Sequence, residues 1–151
     1  MTVEQIAKRC SKSVVFTGGE PLMQPVQHLA RYLWNTHYLA LETNGTIKLE
    51  KEHALMYSSI TLSPKVPIEK CGLTHCDSLK ILFPYLKGIT AESYACFEAE
   101  HRTLQVIDPV FEGKPWDRHI TDAIKELKRL ESIGLTEWRL GIQLHKLIGV
   151  K

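Results

Sequence analysis

Four polar clusters stand where apolar runs of this chain end: Thr17-Gly18-Gly19-Glu20 before Pro21, Glu42-Thr43-Asn44-Gly45, Ser63-Pro64-Lys65, and Gln105 through Asp108. The first has the clearest chemistry. Two adjacent glycines let a ligand approach the backbone closely, while Glu20 and exposed carbonyls accept hydrogen bonds from a cation. Each cluster alone also has a plainer reading. Gly-Gly-Glu-Pro suits a tight turn entering a helix, with Glu20 favoured by the helix dipole. Asn-Gly is a common turn, and Ser-Pro-Lys is weak in isolation.

The elements that position these clusters follow from periodicity. Thr2 and Gln5 form a capping-box pattern, so Thr2 to about Ser11 reads as a helix. Ser13–Thr17 reads as a short, β-branched, wholly apolar strand. Pro21 suits a first helical position, and Leu22, Val26, Leu29 and Leu33 follow on one face. "YLALETNGT" reads as a strand with a polar end, "LEKEHALMY" as a short helix and "SITLSPK" as a third strand. An irregular stretch runs to Asp77. "SLKILF" is a strand, "TAESYACFEAEH" a helix capped by Thr90, and "TLQVIDP" a further strand. A long helix from about Asp117 to Gly134 places Ile120, Ile124, Leu127 and Leu130 on its apolar side. "EWRLGIQLHKLIG" closes the chain as a strand or turn leading into a short helix. Alternation of this kind predicts a single α/β domain over 1–151, with a mostly parallel sheet covered by helices. Parallel strands emerge on one side, so the polar clusters converge there.

Composition narrows the function classes. The 151 residues carry 44% hydrophobic and 24% charged side chains and a formal net charge of +2. The densest basic stretch, Lys125–Arg129, is interrupted and reads as a solvated helix face, so nothing favours a nucleic-acid partner. No run reaches the length of a membrane span and no signal peptide opens the chain. Cys10, Cys71, Cys76 and Cys96 show no secreted disulfide framework, so the expectation is a soluble cytoplasmic protein.

In order and context the clusters are more telling than singly. "TGGEPL", "ETNGT", "SPK" and "WRLGIQLHK" resemble the 7-carboxy-7-deazaguanine synthases, radical S-adenosylmethionine enzymes of the queuosine and deazapurine pathway, over about residues 2–150. The resemblance implies an incomplete (β/α) barrel, S-adenosylmethionine, a [4Fe-4S] cluster and Mg²⁺. It implies an adenosyl radical driving ring contraction of 6-carboxy-tetrahydropterin to 7-carboxy-7-deazaguanine. Carried over by position, Gly18, Gly19 and Glu20 hold the cofactor's amino group, and Ser63, Pro64 and Lys65 meet its other polar parts. Gln105 and Asp108 line the mouth of a later strand on the cofactor side. Thr17, Glu42, Thr43 and Asn44 face the pterin, whose amide and amino edges suit carboxylate and carboxamide partners. His145 and Lys146 lie in the closing segment near the substrate.

The chain departs from that pattern in three places. Val106 stands where the family has Pro, and Gly141 and Leu144 stand where it commonly has Ser and Thr. The family's Cys-x-x-x-Cys-x-x-Cys cluster loop, with its Mg²⁺ ligand, has no counterpart in this sequence. The resemblance therefore implies that the chain begins inside the fold, without the family's first strand. Val14–Phe16 is then an unprotected edge strand, and a homodimer is an expected consequence. Cys71-x-x-x-x-Cys76 beside His75 is a loose spacing for a metal. Cys10 and Cys96 read as small buried residues on helices, and Trp34, Trp116 and Trp138 as packing. Two function classes stand: part of an active synthase, or a catalytically dead remnant that binds a ligand or a partner.

Overall fold

The computed structural model describes residues 1–107 and 116–143. Six strands form one all-parallel sheet in chain order: β1 (Ser13–Phe16), β2 (Tyr38–Thr43), β3 (Ser59–Leu62), β4 (His75–Phe83), β5 (Glu98–Val106) and β6 (Trp138–Gly141). Four helices accompany them: α1 (Val3–Ala7), α2 (Val26–Leu33), α3 (Lys51–Ala54) and α4 (Trp116–Ser132). The α1 capping box is present as the spacing predicts. Gln5 N–H donates to Thr2 Oγ1 and Thr2 N–H to Gln5 Oε1. The helix itself stops at Ala7.

Strand register separates the two faces of the sheet. Phe16, Leu41 and Ile60 lie side by side, as do Leu62 with Leu79 and Ile81 with Leu104, and all seven are buried. With Ala30 and Leu33 of α2, and Ala123 and Leu130 of α4, they make the core. Each fully buried Leu or Ile contributes roughly 1.5–3 kcal/mol. The opposite face carries Val15, Ala40, Glu42, Thr61, Ser78, Lys80, His101, Thr103, Gln105, Arg139 and Gly141, none of them buried. A parallel sheet ordinarily has both faces covered. Here the strands alternate apolar and polar, and one face stays open among the described residues. β1, read as wholly apolar, shows the consequence: Val15 is 55% exposed.

Several sequence expectations need correction. The segment from Thr90 to His101 is not a helix. It is a run of turns to Phe97, followed by β5 from Glu98. The cap is real, since Ser93 N–H donates to Thr90 Oγ1 and Thr90 N–H to Ser93 Oγ. Yet these hydroxyls compete for the backbone groups a helix would use, and Tyr94 is pinned in the core with its hydroxyl donating to Val66 O at 2.7 Å. Cys96 consequently sits exposed on a turn, and Cys10 is half-buried beyond the end of α1. The helix entered at Pro21 is a single 3-10 turn, Pro21–Met23, separated from α2 at Pro25. In α4, Ala123 rather than Ile124 faces the core, and Ile124 is exposed. Trp138 is buried as packing, but Trp34 is 48% exposed.

Candidate functional site

The strand ends converge as the alternation predicts. A cleft of about 680 Å³ on the open face is lined by Thr17, Gly18 and Gly19 after β1, by the end of β2, and by Ser63 and Lys65 after β3. Gln105 closes its far side. Asp108, His145 and Lys146 lie outside the described residues.

Hydrogen bonds explain why the turns hold their places. Ser63 N–H donates to Thr43 O at 2.9 Å and Lys65 N–H to Asn44 O at 3.0 Å, extending the β2–β3 ladder past the strands. Pro64 is fully buried between them, while Ser63 and Lys65 both line the cleft. Partial desolvation holds the Lys65 ammonium below the usual lysine pKa. Asn44 Oδ1 accepts from Thr46 N–H and Oγ1, a local turn that leaves its NH₂ donors free of any hydrogen bond among the described residues. Gly18 has φ +120°, a conformation that favours glycine, and a Cβ at Gly18 or Gly19 would meet no atom within 4 Å. The space beside both glycines is open.

Glu20 is placed differently from the residues around it. Its carboxylate is buried and does not line the cleft. Oε1 accepts from the Thr43 hydroxyl at 2.8 Å and from Leu22 N–H at 3.1 Å, and Oε2 accepts from Asn44 N–H at 2.7 Å. Thr43 reaches the cleft, but its hydroxyl is committed to Glu20 and to Gly45 N–H. Glu42 is exposed, with Oε2 accepting from Thr17 Oγ1 at 3.1 Å and Oε1 lying 3.9 Å from Lys80 Nζ. Gln105 lies over Gly141, where a Cβ would come within 2.8 Å of its Oε1 and 2.4 Å of Thr103 Cγ2. The departure at Gly141 therefore makes room for the Gln105 side chain.

Sequence reading missed Thr61, Lys80, Leu82, Ile142 and Gln143 in the lining. Lys80 carried one signal, a charge at an alternating position of the apolar run 79–83. Gln143 Oε1 is buried with no hydrogen-bond partner among the described residues. The polar lining, the open space at the glycines and this orphaned acceptor fit S-adenosylmethionine, a cation with an amino-acid end, a ribose and a base.

The thiols do not fit an iron–sulfur cluster. Cys76 is buried in the core, and burial pushes its thiol up to about 12. Cys71 packs under the Asn44-Gly45 turn, within 3.1 Å of where a Cβ at Gly45 would stand. Cys10 Sγ donates to Ile6 O, and Cys96 is exposed. Among the described residues no three His, Cys, Asp or Glu side chains group to hold a metal, Mg²⁺ included. No helix among them is long and apolar enough to cross a membrane.

Fold and cleft together define an α/β protein of the incomplete-barrel kind, with a polar cleft at the carboxyl ends of parallel strands. Curated relatives narrow this to one family. The chain is 34% identical to the 7-carboxy-7-deazaguanine synthase of Nitratidesulfovibrio vulgaris over 139 residues, 91% of this chain and 58% of that protein. It is 30% identical to the synthase of the same name from Synechocystis over 152 residues, 99% of this chain and 67% of that protein. The Bordetella pertussis synthase is 30% identical, with 59% of its length covered. No protein-family model matches the chain. The chain belongs to the 7-carboxy-7-deazaguanine synthase family and spans about three-fifths to two-thirds of these relatives' length.

Proposed function

We propose that the open-face cleft is the S-adenosylmethionine and pterin site of a cytoplasmic 7-carboxy-7-deazaguanine synthase. The reaction it serves is ring contraction of 6-carboxy-tetrahydropterin in deazapurine biosynthesis. The observation that carries this reading is the convergence of three separate sequence clusters, from the ends of β1, β2 and β3, on one cleft.

In this assignment the backbone at Gly18 and Gly19 takes the ligand's amino-acid end, since nothing occupies the space beside them. Ser63 and Lys65 offer a hydroxyl and a cation to its carboxylate and ribose. Glu42 and the Asn44 carboxamide face the pterin, held at the required spacing by Thr17 and Glu20. Gln105 and Gln143 supply amide groups at the far wall. S-Adenosylmethionine, when bound, is a source of an adenosyl group. The chemistry that releases it belongs to a cluster that these thiols do not build, so the 151-residue chain alone is proposed to bind without turning over.

Calorimetric titration of S-adenosylmethionine into the chain tests the site. Lys65→Met is expected to weaken binding about ten-fold, the scale of one charged hydrogen bond. Equal affinities would remove Lys65 from the site.

A second reading, a binding protein without catalysis, is favoured by the dispersed thiols. Anaerobic reconstitution with iron and sulfide, followed by electron paramagnetic resonance, separates it from a self-sufficient enzyme. A stoichiometric four-iron cluster lost on Cys71→Ala or Cys76→Ala would overturn both the inactivity of the chain alone and the binding-only reading.

A further inference from the structure

Lys80 stands in the middle of β4 on the open face, with its side chain 37% exposed into the cleft. Lysine is depleted in strands, so neither propensity nor packing explains it there. Its ammonium makes no hydrogen bond among the described residues. The nearest anion, Glu42 Oε1, is 3.9 Å away, beyond hydrogen-bond reach. The other Glu42 oxygen is held by the Thr17 hydroxyl at 3.1 Å. The cleft thus presents an anchored acceptor and, beside it, a donor group with its N–H bonds unspent.

We infer that Lys80 reads the 4-oxo group of the pterin while Glu42 takes its neighbouring N3–H and 2-amino group, an assignment that rests on the proposed pterin site. A 2-amino-4-oxo-pyrimidine edge runs donor, donor, acceptor. Two parallel donors match a carboxylate, and the carbonyl one bond further on needs a donor next to that carboxylate. Glu42 and Lys80, side by side and unlike in charge, are that pair. The ligand's 6-carboxylate is a poorer partner for Lys80, because Glu42 would repel it at this distance. The relatives' names carry a deazaguanine, whose edge has the same donor, donor, acceptor order, so one pair of side chains would hold ligands of both ring systems.

The consequence is a specificity. A 2,4-diamino edge runs donor, acceptor, donor: it turns a lone pair toward Glu42 and an amino group toward Lys80. Two mismatches in one contact reject the wrong ring more strongly than a missing contact does.

Fluorescence titration of the 151-residue chain with 6-carboxypterin and with 2,4-diaminopteridine-6-carboxylic acid tests the pairing. The wild-type chain is expected to favour the oxo compound about 10- to 100-fold. Lys80→Met should cut the preference several-fold, weakening the oxo compound and relieving the diamino one while the part set by Glu42 remains, and Lys80→Arg should retain it in full, which separates recognition from a folding defect. A Lys80→Met chain that keeps the full preference overturns the inference and leaves the pterin site standing. A wild-type chain that binds both compounds equally does the same. If the wild-type chain binds neither, the pterin site itself is wrong.

Discussion

The Thr43 hydroxyl donates to the buried Glu20 carboxylate at 2.8 Å, and that bond fastens the turn after β1 to the end of β2. Asn44 N–H reaches the other oxygen at 2.7 Å, so both Glu20 oxygens serve the frame of the cleft. Gly18, Gly19 and Asn44 keep their positions because a charged strut lies beneath them.

Glu20→Ala should therefore destabilise the chain by about 2–4 kcal/mol, since it leaves the buried Thr43 hydroxyl and two N–H donors without their charged acceptor. Glu20→Gln, which keeps one acceptor, should cost less. Urea unfolding of the three chains measures this. Equal midpoints would mean the strut carries no stability.

Gly72 and Gly45 face each other across the turn that covers Cys71, with Gly72 N–H donating to Gly45 O at 2.8 Å. A Cβ at Gly72 would stand 2.3 Å from the Ile47 carbonyl oxygen, a backbone atom that cannot swing aside. At Gly45 it would meet the Leu62 and Cys71 side chains, at a φ of +75°. Gly72→Ala should cost roughly 3 kcal/mol and Gly45→Ala roughly 1–2 kcal/mol. The reverse order in thermal unfolding would contradict the clash geometry.

Alkaline pH should weaken the fold. Burial pushes the Cys76 thiol and the Tyr57 phenol each up to about 12. Between their ordinary values and pH 12 the unfolded chain has lost these protons and the folded chain has not. The unfolded state then binds fewer protons, and stability falls as pH rises. Melting temperatures should decline from about pH 9, and Cys76→Ala should flatten the decline. At pH 8 a thiol reagent should modify exposed Cys96 well before Cys76. Equal labelling rates would refute the assignment.

β1 ends the sheet with its outer backbone groups unpaired by any strand among the described residues. Val15 is exposed on its open face. An edge of this kind recruits another strand, and we propose that the isolated chain self-associates through β1. Light scattering should show dimers or larger species, reduced by Val15→Lys. A monodisperse monomer whose Val14–Phe16 amides are strongly protected from hydrogen exchange would contradict this.

The parallel sheet was legible because strand-like apolar runs alternated with helical patterns along the chain. So was the convergence of Gly18, Glu42, Ser63 and Gln105, which follows from strand direction alone. Thr90–His101 was misread because a genuine cap at Thr90 and Ser93 looks the same whether a helix or a turn follows. The choice was made by Tyr94 entering the core and by Glu98 pairing in register with His75, contacts distant in sequence. Lys80 escaped because its role depends on Glu42, 38 residues earlier and two strands away. Glu20 could be read as a cleft residue because only the folded chain shows its carboxylate turned onto Thr43.

The most direct measurement is a map of backbone amide shifts as S-adenosylmethionine is titrated into the 15N-labelled chain. The account predicts the largest shifts at Gly18, Gly19, Asn44, Ser63 and Lys65, with Gln143 following and the strands' amino ends unmoved. Shifts centred instead on α3, or on the cavity that Thr74, His75 and Glu98 line at the opposite end of the sheet, would contradict it.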